Sequence, residues 1–214
     1  MPTLQQPKPS SRPHSQAFDP IIFTDLFYSA MEEIEAMHDR NETVDAVRVD
    51  WMASEVGPLL IGVHERHVRL LQFLEQDQFI QQLMSIQKQL GRPIRLGNHR
   101  ILEQCIEELT EYFAGVRDTF EVPLKPVGTQ FQQKVWEGLL HIPYGHTWSY
   151  EQLANHIGQP TASRAVGLAN GANPIAIMIP CHRVIQKSGQ LGGYGGGLWR
   201  KQRLLDLEQR RANK

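Results

Sequence analysis

The chain has 214 residues, 41% of them hydrophobic, which is enough for one or two domains with a real core. It has no apolar run long enough to cross a bilayer and no basic start followed by a short apolar run, so a soluble intracellular protein without membrane contact is expected. The net charge of −1 conceals an asymmetry, because residues 1–124 carry 11 Lys and Arg against 19 Asp and Glu, whereas residues 125–214 carry 11 against 4. A basic C-terminal half favours contact with nucleic acid, although many basic faces are only solvated surface.

The chain contains two cysteines, Cys105 and Cys181, far apart in the sequence. Two cysteines form neither the disulfide framework of a small secreted protein nor a four-cysteine zinc site, so at least one is free to react. No metal and no cofactor are expected.

Residues 1–17 are rich in Pro, Gln and Ser and lack a hydrophobic period, which predicts a disordered N-terminus. Residues 18–43 are predicted to form a helical extension, because Asp19 and Pro20 are typical of a helix start and the pattern continues to about Arg40. No role for this helix follows from the sequence. Its apolar residues recur every fourth position, at Ile22, Leu26, Ala30 and Ile34.

Residues 44–124 are predicted to form an α+β domain with a small antiparallel sheet. Apolar and polar residues alternate in the strand segments, and a polar turn joins the second strand to the third. Two amphipathic helices follow, the first ended by Gly91. The predicted strands cover 47–51, 59–63 and 68–73, and the predicted helices cover 79–90 and 101–113.

Cys105, His64 and His67 of this domain are interpreted as residues without a catalytic or metal-binding role. Cys105 falls on the apolar stripe of the second helix, which indicates a small core residue rather than a reactive thiol. His64 and His67 have the spacing of a ligand pair, but a predicted turn without other ligands favours surface residues.

A linker at 121–127 leads into residues 125–214, which are predicted to form a mostly helical domain. Thr129 with Gln132, and Ser149 with Gln152, are capping boxes typical of helix starts. The helix after Ser149 ends at Gly158, and a third helix should begin at Pro160 and Thr161. Two short helices joined by a glycine-containing turn predict a helix-turn-helix. The predicted inner residues of the third helix are Ala162, Ala165, Val166 and Ala169.

The third helix is rich in small residues, which suit either close approach to a DNA groove or tight packing against another helix. Arg164 is its only cation. An arginine at this place suits a phosphate contact, entry into the base stack, or simple exposure to solvent.

The segment after the third helix carries the chemistry. The apolar run 175–179 predicts a buried extended segment that leads into Pro180, Cys181, His182 and Arg183. A thiol beside a histidine and an arginine lies where a thiolate can be stabilised, which is typical of a reactive cysteine. For a Cys-His pair without further context, a structural cysteine beside a surface histidine would be the commoner interpretation.

The segments that flank Cys181 and His182 make the interpretation of this Cys-His pair specific. Pro-Cys-His-Arg-Val follows Asn-Pro and an apolar run, and precedes a glycine-rich loop with Tyr194 and a final helix. Upstream stand Ser-Tyr at 149–150, Gln-Leu-Ala at 152–154, and Arg-Ala-Val-Gly at 164–167. Over about residues 125–208, this order of motifs resembles the active-site region of the O6-alkylguanine-DNA alkyltransferases. The resemblance implies an α+β fold with short strands that carry the cysteine in the C-terminal domain.

The resemblance also implies the site residues. Cys181 would be the nucleophile, His182 would deprotonate it through a water, and Glu208 would orient that histidine. The DNA contacts implied are a push on the target phosphate by Tyr150 and filling of the vacated base stack by Arg164. The remaining implied roles are fastening of the turn before the cysteine by Asn173, and holding of the flipped base by Tyr194 and the Val184 carbonyl.

The implied activity is DNA repair by stoichiometric, irreversible transfer of the alkyl group of O6-alkylguanine, and of O4-alkylthymine, to Cys181. The partner would be double-stranded DNA, bound in the minor groove by a monomer that could act cooperatively. The resemblance favours a bacterial cytoplasmic protein, or a nuclear one in a eukaryote. The loop 192–197 is expected to form a mobile lid over the base, and its glycines suggest a pocket wide enough for ethyl and benzyl groups.

Three other classes of protein share part of this pattern. A non-catalytic lesion sensor of the same architecture would replace the cysteine, so Cys181 argues against it. A transcriptional regulator would need polar side chains on the third helix to recognise base edges, and these are absent. A papain-like hydrolase needs a histidine distant in sequence from its cysteine, unlike His182. The zinc-binding cysteines of some relatives are also missing, since only Cys105 precedes Cys181.

Overall fold

A computed structural model describes residues 19–36, 45–75 and 78–212. Its N-terminal half is a four-stranded sheet with three helices, and the strands lie in the order β3-β2-β1-β4. The prediction for residues 1–17 lies outside the described residues. The elements are α1 (Pro20–Ala36), β1 (Val47–Met52), β2 (Leu59–His64), β3 (His67–Phe73), α2 (Phe79–Leu90), β4 (Ile94–Leu96) and α3 (Arg100–Phe113).

The predicted antiparallel strands are confirmed, and the sheet has one strand more than predicted. β1 pairs with β2 and β2 with β3 in antiparallel fashion, whereas β4 runs parallel to β1. Only three residues long, β4 is too short to show an alternating pattern in the sequence. The α+β fold class is confirmed, with a mixed rather than purely antiparallel sheet.

Helix α1 buries a face that coincides with the predicted row only at Ala30 and Ile34. Ile22 and Leu26 are exposed. On a helix of 3.6 residues per turn, residues four positions apart are rotated by about 40° about the helix axis. A row of residues at every fourth position therefore moves off the buried face. The predicted continuation to Arg40 lies outside the described residues. The buried residues of α1 are Phe23, Phe27, Ala30, Met31 and Ile34.

Each face of the sheet has its own core. Helices α1 and α2 cover one face, where Phe23 packs edge-on against Trp51 and contacts Phe79. This covering role is what the sequence did not reveal for α1. The other face packs against α3 and the C-terminal domain in one continuous cluster, which includes a fully buried Cys105. The prediction of Cys105 as a core residue is confirmed.

His64 is buried, so its prediction as a surface residue is wrong. The turn comprises only Glu65 and Arg66, with Glu65 at φ +56°, so His64 is the last residue of β2 and pairs with His67. Its Nε2 lies 2.7 Å from Oδ1 of Asp45, which supplies a polar partner for the buried ring. His67 is half-buried.

The C-terminal domain contains the predicted helix-turn-helix. Both capping boxes are formed, at Thr129 and at Ser149. The third helix begins at Ser163 and not at Pro160 and Thr161, and it buries Asn170 while Ala165 is exposed. None of the described helices is long and apolar enough to cross a membrane. The elements are α4 (Gln130–Leu139), β5 (Trp148–Ser149), α5 (Tyr150–His156), α6 (Ser163–Gly171), β6 (Val184–Ile185) and α7 (Leu198–Ala212).

Residues 175–179 are buried as predicted but are not extended. Only Ile175 bridges to β3, at Leu71. The chain then turns tightly, because the Met178 amide donates to the Ala176 carbonyl at 2.8 Å around Ile177, whose φ is +68°. A β-branched residue with positive φ is strained, and the completely buried surroundings of the segment hold it there. The turn delivers the chain to Cys181.

Candidate active site

Cys181 begins a single turn of 3-10 helix, Cys181–Arg183, whose three side chains are all buried. A second tight turn precedes it, since the Cys181 amide donates to the Ile179 carbonyl at 2.8 Å across Pro180. β6 follows directly and pairs in parallel with β5. This pairing brings the start of α5, with Tyr150, beside the end of the cysteine turn.

Asn173 fastens the loop before the cysteine. Its Nδ2 donates to the Ile179 carbonyl at 2.8 Å and lies 3.1 Å from Sγ of Cys181. Its Oδ1 accepts from the Ile175 amide at 3.0 Å. The Asn173 side chain therefore connects both ends of the loop and contacts the sulfur. This is where a residue that fastens the turn before the cysteine, the role implied by the resemblance, would lie.

Cys181 is a thiol in the resting protein. Its side chain is almost completely buried, and burial raises the pKa of Cys181 above its ordinary value, although the Asn173 hydrogen bond and the Lys201 charge oppose this. Sequence reasoning expected a stabilised thiolate and did not count the desolvation of an anion at a buried position. The thiol therefore needs a base.

Glu208 is the centre of a buried polar network. Its two carboxylate oxygens accept hydrogen bonds from four residues of three separate segments. Burial alone would raise the pKa of Glu208, but His182 and Arg183 together hold it well below its usual range, so the carboxylate is ionised. The donors are Tyr112 Oη at 2.8 Å, the Gly145 amide at 3.1 Å, His182 Nε2 at 2.8 Å, and Arg183 Nε at 2.9 Å and Nη2 at 3.0 Å.

His182 is a neutral base. Burial lowers the pKa of His182, although the Glu208 charge opposes this. Because an ionised carboxylate only accepts hydrogen bonds, Nε2 carries the proton that is shared with Glu208. Nδ1 then presents a lone pair, and it has no hydrogen-bond partner among the described residues. A buried, fixed and unprotonated imidazole nitrogen is suited to accept a proton.

Lys201 is a site residue that sequence reasoning missed. The side chain is fully buried, and Nζ donates to the Val184 carbonyl at 2.5 Å. Burial lowers the pKa of Lys201 to about 8, opposed by Cys181. A signal was present, since Lys201 and Glu208 are seven residues apart on α7 and so share the face of Leu204 and Leu205 that points inward. The Val184 carbonyl keeps one lone pair for another donor.

Two tyrosines lie near the thiol. Tyr150 is half-buried between α6 and the glycine loop, and a Cβ on Gly192 would lie 2.4 Å from its hydroxyl. The Tyr194 hydroxyl is buried beside the Cys181 thiol and has no other hydrogen-bond partner within the described ranges. Burial, and then the charge of Cys181, raise the pKa of Tyr194 well above its ordinary value, so it remains a donor.

A cavity of about 220 Å³ opens on Cys181. Its C-terminal wall includes Asn173, Ala176 and the loop from Tyr194 to Gly196, and its other wall comes from the N-terminal sheet. Arg164 is not part of this cluster, because it is exposed near the start of α6. The structure therefore brings together seven of the eight predicted site residues, namely Cys181, His182, Glu208, Asn173, Val184, Tyr194 and Tyr150.

Comparison with known proteins gives a consistent result. Family models described as 6-O-methylguanine DNA methyltransferase match residues 47–126 with their ribonuclease-like domain and 130–210 with their DNA-binding domain. The methylated-DNA--protein-cysteine methyltransferase of Mycobacterium leprae is 45% identical over 74% of this chain and 90% of its own length. That of Methanosarcina barkeri is 42% identical over 75% and 96%.

A solved structure agrees. The crystal structure of Mycobacterium tuberculosis OGT in complex with DNA superposes with a TM-score of 0.68 at 44% identity, over 77% of this chain and 94% of that one. The archaeal O6-methylguanine-DNA methyltransferase of Pyrococcus kodakaraensis shares the fold, with a TM-score of 0.59 at 24% identity. The chain belongs to the 6-O-methylguanine DNA methyltransferase family.

Proposed function

We propose that the protein repairs DNA by moving the alkyl group of an O6-alkylguanine irreversibly onto Sγ of Cys181, one group per molecule. DNA repair, methyl transfer and DNA as the partner follow from membership of the family. The choice of Cys181 as acceptor rests on one observation. It is the buried thiol that has Asn173 3.1 Å from its sulfur and a neutral histidine, fixed by Glu208, next to it in the chain.

The proton moves first. The thiol gives its proton, through a water, to Nδ1 of His182, and the imidazolium that forms is stabilised by the ionised Glu208. Asn173 and Lys201 then stabilise the thiolate, because each lowers the pKa of Cys181 against the effect of burial. The relay needs no metal, since sulfur is a strong nucleophile once deprotonated.

Transfer is a single displacement. The thiolate attacks the alkyl carbon, an S–C bond forms and the C–O bond breaks with its electron pair on O6. The Tyr194 hydroxyl is suited to donate a hydrogen bond to the leaving base, and the proton that His182 took from the thiol returns to the base, so that an ordinary guanine and a neutral His182 remain. The product is a stable thioether on Cys181, so the protein does not turn over.

The lesion has to leave the duplex before it can reach a buried sulfur. Extruding a nucleotide costs a few kcal/mol, and a damaged pair costs less than a normal one. We assign the rotation of the target nucleotide to Tyr150 and the filling of the base stack to Arg164, with α6 in the minor groove. The exposure of Arg164, and of the small residues Ala165 and Gly171 beside an exposed Leu168, supports this assignment. The same pocket would take O4-alkylthymine.

We further propose a cytoplasmic monomer, able to bind DNA cooperatively, that consists of a helical extension (18–43), an α+β domain (44–124) and a DNA-binding transferase domain (125–214). The separate family matches to 47–126 and 130–210 support the boundary between the two domains.

The decisive experiment follows a labelled methyl group. A duplex with one labelled O6-methylguanine should pass its label to the protein up to one equivalent. The Cys181→Ala variant should take up none, while the Cys105→Ala variant should match the unaltered protein. Label on Cys181→Ala, or continued turnover, would contradict the mechanism.

A further inference from the structure

The cavity at Cys181 has a wall that comes from the N-terminal domain. The residues of this wall are Gln72, Phe73, Glu75 and Gln82, and they face Tyr194, Gly195 and Gly196 across the cavity. Of the residues to which contacts with the flipped nucleotide are assigned, Tyr194 lines the cavity and Tyr150 and Val184 do not. The cavity therefore adjoins the place of the base at Tyr194 and extends from Tyr194 and Cys181 to Phe73, where it offers room to the substituent on O6.

Phe73, at the end of β3, is the large apolar side chain of that wall. Its ring packs against Tyr194 with centroids 5.9 Å apart and an interplanar angle of 61°. The space beside Gly196 is already filled by this ring, since a Cβ on Gly196 would lie 2.5 Å from Phe73 Cδ2. Gly196 thus makes room for Phe73, so it does not widen the pocket on this side, and the sequence-based expectation of a wide pocket stays a prediction for the other loop glycines.

Arg200 holds the ring in place. Its guanidinium lies over the Phe73 ring, 5.0 Å from the centroid, and is itself almost completely buried. Nε donates to the Val56 carbonyl at 2.7 Å, Nη1 donates to the Gly196 carbonyl at 2.9 Å, and Glu75 completes an ion pair. One side chain thereby ties the N-terminal sheet to the glycine loop, with Phe73 fixed between them.

We propose that Phe73 is a specificity-determining residue that limits the size of the alkyl group, and that Arg200 is the positioning residue that keeps it there. The inference rests on the proposed transfer to Cys181. A methyl group needs little room beside the sulfur, whereas the ring of a benzyl group would have to enter the cavity that Phe73 lines. The N-terminal domain would then select substrates for a reaction whose nucleophile and base lie in the C-terminal domain.

The test compares single-turnover rates for two duplexes, one with O6-methylguanine and one with O6-benzylguanine. In Phe73→Ala, the benzyl-to-methyl rate ratio should rise about tenfold or more over the unaltered protein. A change of even one methylene in an apolar pocket alters the relative rates of two substrates by about that factor. Phe73→Leu should show a smaller rise. The control is Phe120→Ala, since Phe120 is half-buried in the same core but does not line the cavity; its ratio should not change.

A purely structural role for Phe73 would slow both substrates equally. An unchanged ratio in Phe73→Ala, with methyl transfer retained, overturns the inference and leaves the proposed function intact. If Phe73→Ala does not fold, as judged by thermal melting, the ratio in Phe73→Leu decides in the same way. Failure of the unaltered protein to accept a methyl group would instead overturn the proposed function, and with it this inference.

Discussion

The two cysteines lie in regions that resemble each other in burial and differ in their polar neighbours. Cys105, in α3, has a pKa raised to about 12 by burial and by the charge of Glu108. The pKa of Cys181 is also raised by burial, but Asn173, Lys201 and two backbone amides oppose the increase. Burial alone therefore does not separate a structural thiol from a reactive one. What separates them is whether groups that stabilise an anion are already in place.

Each cysteine also has a buried carboxylate in its region, Glu208 for Cys181 and Glu108 for Cys105. Replacing each of them by glutamine should give the largest difference in transfer rate between the two regions. Glu208→Gln leaves Arg183 buried without its counter-ion, which should cost about 3–5 kcal/mol of unfolding free energy. It also removes the charge that stabilises the His182 imidazolium, so the transfer rate should fall strongly. Urea unfolding and single-turnover kinetics measure the two effects.

The matched control is Glu108→Gln in the region of Cys105. Glu108 is equally buried and accepts hydrogen bonds from Gln104 and from the Glu121 amide. Its replacement should destabilise the fold while methyl transfer per folded molecule stays unchanged. Equal loss of transfer in both variants would remove the distinction between the two carboxylates.

Asn173→Ala should make the surroundings of Cys181 more like those of Cys105. Loss of a hydrogen-bond donor at a developing charge typically lowers a rate by about 10²–10³-fold. The pKa of Cys181, followed by the pH dependence of its alkylation, should rise further. Asn170→Ala is the control, because Asn170 is buried but donates to the Cys181 carbonyl at 3.3 Å rather than to the sulfur. It should leave the thiol pKa nearly unchanged.

Lys201 provides a smaller effect that depends on pH. The folded protein releases the Lys201 proton at about pH 8, whereas the ordinary pKa is 10.5, so the unfolded chain binds more protons between these values. This group therefore makes the free energy of unfolding rise with pH across that window. Lys201→Met should lack this rise, as urea unfolding at about pH 7 and about pH 9.5 would show. A parallel pH dependence in both proteins would contradict a charged, buried Lys201.

Cys105→Ala should have the smallest effect. Removing one buried sulfur from a packed helix face should cost about 1 kcal/mol of unfolding free energy. The transfer rate should not change. Thermal melting and the labelled-methyl assay check the two statements, and a slower transfer at equal stability would show that Cys105 communicates with the active site.

The sequence predicted features that depend on neighbouring residues. The capping box of Ser149 and Gln152 is complete within four residues, so helix α5 could be predicted from local chemistry. The motif around Cys181 could be recognised for the same reason, because its residues are contiguous in the sequence. Strand β4 is too short to carry a period, and the positive φ of Ile177 is imposed by surroundings that a local pattern does not contain.

The features that could not be predicted depend on residues far apart in the chain. The cavity wall from Phe73 and the contact of Arg200 with the Val56 carbonyl bridge sequence separations of more than one hundred residues. The burial of Lys201 and the raised pKa of Cys181 likewise depend on packing in three dimensions. The motif around Cys181 could thus be recognised in the sequence, whereas the protonation states of Cys181 and Lys201 required the three-dimensional structure.

The hydrogen bond from Tyr112 to Glu208 has a consequence for domain exchange. Tyr112 lies in α3 of the N-terminal domain, yet its hydroxyl is one of the donors to the carboxylate behind His182. A chimera that joins this C-terminal domain to a foreign N-terminal domain would keep every residue of the cysteine motif and still lose a partner of Glu208. Grafts that retain a tyrosine at this helix position should preserve the wild-type pH dependence of transfer, and grafts without it should not.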